Sequence, residues 1–337
     1  MTRISVIGGG AWGTTLADLL ARRGEQVTLW AYEGAVVESI NRHHTNPQFL
    51  PDAALTGALR AEADLGAAVR GADVIVCATP SHVVRDVFAR VAPHAASRPL
   101  VVSVSKGLEP ERLTTISCVL GEVLPAGTPI AVLSGPSFAR EVFDRQPTAV
   151  VAAAREHALA ERVQQLFATP QFRVYSHTDV LGVELAGALK NVIALAAGIL
   201  EGLGLGNNTR AALITRGLAE ITRLGTALGA DAGTFAGLAG MGDLILTATG
   251  ALSRNRTLGV ELGKGKEVGE ALAARVSVAE GVNTARAAVT LGQRHGVELP
   301  IAEQVALVLF AGKPPRQAVA DLMERELKSE QWGVEQS

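Results

Sequence analysis

The sequence predicts an α/β chain of two domains, a parallel-sheet domain over residues 1–178 and an all-helical domain over residues 179–337. Three observations carry this reading. The chain has 337 residues, and a typical domain has roughly half that number. Its first half alternates short Val/Ile/Leu-rich runs with helical stretches, which implies a largely parallel sheet with right-handed crossovers. Beyond about Tyr175 the strand signal fades and long Ala/Leu/Gly-rich helices take over.

The expected strands are residues 4–7, 27–30, 74–78, 100–104, 130–133 and 148–152, each short, apolar and bounded by Gly, Pro or Ser. Between the first two lies a helix over residues 11–22, with Gly24 as its stop. In the second half, helices are expected over residues 179–201, 209–228, 282–295 and 302–310, punctuated by Pro300, Pro314 and Pro315.

Composition narrows the function classes. Apolar residues make up 48% and charged residues 19%, which suits packed cores and not disorder. The formal net charge is −2 with no basic stripe, so nucleic-acid binding has no electrostatic footprint. Cys77 and Cys118 are the only cysteines and form no C-x-x-C, which fits a reducing, cytoplasmic setting. No charged-then-apolar leader precedes Ile4, so no signal peptide is expected. Residues 181–200 form an apolar run long enough to span a bilayer. Glu184, Lys190 and Asn191 within it are costly in lipid, so a buried helix is expected rather than membrane insertion.

The first strand runs into Gly8-Gly9-Gly10-Ala11-Trp12-Gly13, where Gly8, Gly10 and Gly13 match G-x-G-x-x-G. In that pattern the first glycine permits a tight turn, the second lets backbone approach a diphosphate, and the third packs helix on strand. The helix N-terminus adds oriented N–H donors. Strand before and helix after predict a Rossmann-type dinucleotide site, a glycine turn without ligand being the alternative. Glu33 lies about 20 residues beyond Gly13, the distance expected of a ribose-binding carboxylate. No Arg or Lys falls between Val27 and Val37 to receive a 2′-phosphate, so NAD(H) is expected over NADP(H), with use of NADP(H) left open. A solvated loop position for Glu33 is the alternative.

Lys190 stands in the middle of an apolar helix, where burial disfavours the ammonium and makes the side chain a usable proton donor and acceptor. Ketone reduction by hydride needs such a proton. Lys106 follows an expected parallel strand, at the end that faces the ligand crevice; a surface lysine is the bland alternative. Ser134-Gly135-Pro136-Ser137-Phe138-Ala139 follows another strand, and its small residues and amides can line a phosphate or cofactor. A plain strand-to-helix turn would look the same. Asp243, Thr247, Ser253, Arg254 and Asn255 form a polar group in which Arg254 can grip a phosphate bidentately. Asp243 can orient Lys190 or bond a substrate hydroxyl, and a solvated loop is the other reading of the group. Glu280 opens a helix, where it suits the N-terminal dipole. His43 and His44 lack a metal-ligand spacing and read as loop; nothing suggests a bound metal.

Taken together, these segments resemble bacterial-type NAD(P)-dependent glycerol-3-phosphate dehydrogenase from Gly8 to about Lys313. The carriers are the glycine turn with Trp12, Ser105-Lys106-Gly107-Leu108-Glu109, the Ser134–Ala139 segment and Gly187-Ala188-Leu189-Lys190-Asn191. Asn208-Thr209-Arg210-Ala211-Ala212-Leu213-Ile214, Gly240-Met241-Gly242-Asp243-Leu244 and Ser253-Arg254-Asn255-Arg256 complete the set. The resemblance implies Lys190 as the proton acceptor in alcohol oxidation. It implies Lys106, Gly135, Ser137, Asp243, Ser253, Arg254 and Asn255 at dihydroxyacetone phosphate or sn-glycerol 3-phosphate. It implies Ala11, Trp12, Lys106, Ala139, Arg254, Val278 and Glu280 at the cofactor, and a role in glycerophospholipid synthesis. Ala11 stands where the family often has serine, and Tyr32-Glu33 replace the His or Arg common in NADP users. A related two-domain 3-hydroxy-acid dehydrogenase is the competing reading, and the apolar helices are compatible with a homodimer.

Overall fold

The structure, a computed structural model, describes residues 1–273 and 279–327. Ten strands are described: β1 (Arg3–Ile7), β2 (Gln26–Trp30), β3 (Arg60–Glu62), β4 (Val74–Cys77), β5 (Leu100–Ser103), β6 (Leu108–Glu109), β7 (Thr114–Thr115), β8 (Ile130–Ser134), β9 (Thr148–Ala153) and β10 (Phe172–His177). Eight form one sheet in the order β3-β2-β1-β4-β5-β8-β9-β10, while β6 and β7 make a separate hairpin. Every pair in the large sheet is parallel except β8 with β9. Helices cover both faces, so β4 and β5 are buried at every residue and read as unbroken apolar runs.

The expected α/β class holds: a Rossmann-like sheet is followed by helices alone. All six expected strands form within a residue at either end. The strands β3 and β10 and the hairpin went unforeseen. β3 is a three-residue edge strand carrying Arg60 and Glu62, and β10 alternates buried and exposed positions, so neither has the continuous apolar signature. After β3 the chain crosses back over β1 to begin β4, and β1 and β4 are neighbours. The switch point between them, at the carboxyl ends of the strands, is where such folds bind ligands.

The second half is organised around the helix Val180–Gly202, buried continuously from Gly182 to Leu200. By length and composition it could cross a membrane, but its apolar window is wholly inside the protein, as its polar residues suggested. The helices Asn207–Ala227, Asp243–Thr249, Arg254–Gly263 and Glu280–His295 pack around it. Two carboxylates fasten helix ends across the tertiary structure. Glu184 of the central helix accepts from the Ser117 amide (2.8 Å) and hydroxyl at the start of Ile116–Val123. Glu220 accepts from the Ile301 and Ala302 amides (2.8 and 3.3 Å) at the start of Pro300–Ala311. Each satisfies donors that a helix leaves open at its first turn. Burial pushes the Glu184 carboxyl up, and pushes Glu220 to about 7 against the opposing amide bonds.

Backbone contact between Val180–Gly202 and Arg254–Gly263 rests on glycines four residues apart on each, Gly198 and Gly202 against Gly259 and Gly263. A Cβ on Gly198 would lie 2.0 Å from the Arg256 carbonyl oxygen, and one on Gly259 2.1 Å from that of Leu195. Neither obstacle is a flexible side chain. Gly259→Ala should therefore destabilise the protein by about 1–3 kcal/mol. Gly269→Ala, where a Cβ meets nothing within 4 Å inside the helix Val268–Ala273, should be neutral or stabilising by up to about 1 kcal/mol. Urea unfolding midpoints of the two variants check the contrast.

Candidate functional site

The chain turns at Gly8 with φ +128°, a conformation that favours glycine. A Cβ on Gly8 would meet the Ala78 carbonyl oxygen at 2.6 Å, and one on Gly13 the Gly8 carbonyl oxygen at 2.0 Å. Gly10, the N-cap of Ala11–Arg22, is different: a Cβ there would meet nothing within 4 Å. Gly8 and Gly13 thus serve the turn and its packing, while Gly10 presents bare backbone to open space at a helix N-terminus. These residues fit a dinucleotide diphosphate, which needs close backbone approach and free N–H groups. Ala11 and Trp12 occupy the first turn, and the Trp12 ring lies 6.4 Å from that of Phe172. Glu33 follows β2 at the N-cap of Gly34–His43, half-buried, and its side chain makes no capping bond.

Four segments distant in sequence meet beyond the ends of β5 and β8. The Lys106 ammonium donates to the Gly135 carbonyl (2.7 Å), to Ser137 Oγ (3.2 Å) and to Asp243 Oδ2 (2.8 Å). The other carboxylate oxygen, Asp243 Oδ1, lies 2.6 Å from Lys190 Nζ. Lys190 also donates to Thr247 Oγ1 (2.7 Å), which donates in turn to the Asp243 carbonyl (2.6 Å). Gly135, at φ +132°, packs against Val150 so closely that a Cβ would lie 3.0 Å from its Cα. That fit holds the carbonyl on which Lys106 rests.

The electrostatics follow from burial. Lys190 is 5% exposed and Asp243 1% exposed. Loss of water brings the Lys190 ammonium down to about 7; Lys106 and Arg254 push the same way, and Asp243 opposes them. Burial alone would raise the Asp243 carboxyl, but the two lysines outweigh it and hold it below its usual range. Asp243 therefore stays ionised while Lys190 is poised to gain or lose a proton near neutrality.

The polar group after Asp243 is not a loop. Asp243 and Thr247 lie in Asp243–Thr249, and Arg254 and Asn255 open Arg254–Gly263 with Ser253 as N-cap. The local sequence hid this because Gly250 and Ser253 bracket a short break between two helices. Ser253 Oγ accepts from the Arg256 amide (3.2 Å), so it caps the helix. Asn255 is buried; it donates to Asn191 Oδ1 (2.9 Å) and accepts from the Gly281 amide (2.9 Å). Its amide links three helices, a duty the sequence did not disclose. Arg254 lies at the first turn of its helix, where the protein packed around the guanidinium lowers its pKa and Glu280 opposes this.

Glu280 accepts from the Ser81 amide (3.1 Å) and hydroxyl (2.6 Å), clasping the helical half to the loop after β4. Ser81 carried no signal in the sequence. Ala139 opens the helix Ala139–Phe143, and its carbonyl accepts from Thr15 Oγ1 (3.2 Å), tying it to the glycine-motif helix. Val278 lies outside the described residues. His43 ends the helix Gly34–His43 rather than lying in a loop, with His44 as a left-handed C-cap.

The chain is similar to known proteins over nearly its whole length. Residues 3–160 match the profile of the NAD-dependent glycerol-3-phosphate dehydrogenase N-terminus, and residues 179–320 that of its C-terminus. A glycerol-3-phosphate dehydrogenase (NAD(P)+) of Geobacter sulfurreducens is 56% identical over 332 residues, covering 98% of this chain and 99% of the relative. One from Geobacter sp. strain M21 is 53% identical over 330 residues, covering 97% and 98%. The crystal structure of glycerol-3-phosphate dehydrogenase from Coxiella burnetii superposes with a TM-score of 0.92 at 39% identity, covering 96% of this chain and 99% of that one.

Removing the charge of Asp243 should leave Lys106 and Lys190 facing each other without a counterion. Asp243→Asn is then expected to lower the Lys190 titration midpoint below its present value of about 7. An NMR titration of isotope-labelled lysine reads this directly, and an unchanged or higher midpoint would contradict the shared-carboxylate picture.

Proposed function

Because the chain belongs to the NAD-dependent glycerol-3-phosphate dehydrogenase family, we propose that it interconverts dihydroxyacetone phosphate and sn-glycerol 3-phosphate, using NAD(H) in preference to NADP(H). The product would serve glycerophospholipid synthesis. One observation carries the reading: a single buried carboxylate, Asp243, joins Lys106 and Lys190 at the carboxyl ends of the parallel strands. The family match also removes the ground for the 3-hydroxy-acid reading.

In this scheme residues 1–178 hold the cofactor through Gly8, Gly10, Ala11, Trp12, Gly13 and Ala139, and residues 179–337 carry the proton-transfer groups. When bound, the nicotinamide supplies or accepts the hydride at substrate C2. Lys190 gives a proton to the developing alkoxide in reduction and takes it back in oxidation. Asp243 and Thr247 hold the Lys190 amine in one place, so little reorganisation is left for the reacting state. Lys106, held by Gly135 and Ser137, sets a fixed positive charge beside the carbonyl oxygen. Arg254 and Asn255, at a helix N-terminus, receive the phosphate, and anchoring that remote group restricts C2. In this reading Glu33 takes the adenosine ribose hydroxyls, and its charge repels a 2′-phosphate. The unpaired thiols of Cys77 and Cys118 support a reducing, cytoplasmic setting.

NADH oxidation with dihydroxyacetone phosphate should be robust in the wild type and slower with NADPH. Lys190→Ala should lose about a hundredfold to ten-thousandfold in kcat. Reduction needs the ammonium, so its kcat should be full below about pH 7 and fall above it; oxidation needs the free amine and should rise through the same point. Pre-steady-state or steady-state rates across pH in both directions check this. Two profiles with the same slope would remove Lys190 from proton transfer.

A further inference from the structure

Asn46 is fully buried, yet it belongs to neither the lysine cluster nor the glycine motif. It lies in the connection between Gly34–His43 and β3. Its Nδ2 donates to the Gly9 carbonyl (2.8 Å) and to Thr14 Oγ1 (2.8 Å), and its Oδ1 accepts from the Phe49 amide (3.3 Å). Thr14 Oγ1 also donates to the Gly9 carbonyl (3.1 Å), closing a ring of three hydrogen bonds. Both ends of the Asn46 amide are engaged, and its orientation is thereby determined.

The segment that carries Asn46 is fastened along the glycine-motif helix at regular intervals. Thr14, Asp18 and Arg22 are spaced four apart and so share one face of that helix. Thr14 accepts from Asn46, Asp18 Oδ1 from the Thr56 amide (2.7 Å), and Arg22 Nη2 donates to the Ala54 carbonyl (3.0 Å). Leu50, Ala53 and Leu55 are buried beneath the same segment. Residues 46–56 therefore form a strap along the helix, with Asn46 at the end nearest the glycine turn.

The consequence lies in one peptide plane. The Gly9 carbonyl and the Gly10 N–H belong to the same trans peptide and point in opposite directions. Asn46 and Thr14 draw the carbonyl inward, so the Gly10 N–H is turned outward, on the residue whose surroundings are open. We propose that Asn46 is a positioning residue of the cofactor site, fixing the Gly9–Gly10 peptide so that the Gly10 N–H faces the cofactor diphosphate. This rests on the cofactor reading above. Without Asn46 the peptide, flanked by glycines that tolerate either sense of φ, is held by the Thr14 hydroxyl alone.

The test uses the full chain and Asn46→Asp, which keeps the shape but replaces the donating amide with a carboxylate. At saturating dihydroxyacetone phosphate the KM for NADH should rise by about tenfold or more, with kcat within about twofold of wild type. Inhibition by ADP should weaken in parallel, while inhibition by adenosine, which has no diphosphate, should not change. Thr14→Val, which removes one corner of the ring without a charge, should raise the KM for NADH in the same direction by a smaller factor. It supplies the reading should Asn46→Asp fail to fold. An unchanged KM for NADH in folded variants overturns the proposal. So does a fall in kcat alone, or equal weakening of ADP and adenosine, since a merely structural role would give these. Wild-type protein that neither binds nor oxidises NADH would instead overturn the functional reading, and this proposal with it.

Discussion

Asp243 is almost wholly sealed from solvent and touches two ammonium groups, so its charge has to be balanced by protein alone. A buried carboxylate is costly to ionise, and removing one partner from a buried pair leaves an uncompensated charge. The three groups come from the end of β5, the middle of the central helix and the first turn of Asp243–Thr249. Each element must therefore be held to within hydrogen-bonding distance of the others, and much of the tertiary structure can be understood as meeting that demand. Thr247, one turn beyond Asp243, fixes Lys190 from the same helix. Gly135 and Ser137 fix Lys106 from the sheet side.

Close backbone approach is the second recurring device. The glycine pairs on Val180–Gly202 and Arg254–Gly263 bring the helix bearing Lys190 and Asn191 against the one opened by Arg254 and Asn255. The Asn191–Asn255–Gly281 chain of hydrogen bonds then crosses to a third helix. Gly8 and Gly13 do the equivalent at the sheet, letting the first helix settle on β1 and the end of β4. Carboxylates fasten what the glycines bring together. Glu184 joins the central helix to the sheet domain through Ser117, and Glu280 joins the helix Glu280–His295 to that domain through Ser81.

The readable part of this protein was local. The glycine turn showed itself because strand, turn and helix follow one another within ten residues. Lys190 stood out as the sole cation in a helix of apolar residues. The boundaries of the five helices expected were legible from period, capping and proline, within about two residues. β3 was hidden because an edge strand need not be apolar, and the helical character of the Asp243–Asn255 region because glycines and polar residues there resemble a loop. Asn46 sits in Asn46-Pro47, which signals a turn and says nothing of where the amide points.

By itself, then, the sequence determined the inner strands of the sheet, the long helices of the second half, the dinucleotide turn and the lysine in an apolar helix, since periodicity, capping and turn chemistry act over a few residues. Only the tertiary structure decided that Asp243 is shared between two lysines, that Glu280 clasps Ser81 and that Asn46 braces the Gly9 carbonyl. The paired residues are 137, 199 and 37 positions apart. Side chains so distant along the chain meet only after sheet and helices have packed. Burial then removes the water that would otherwise have satisfied each of them separately.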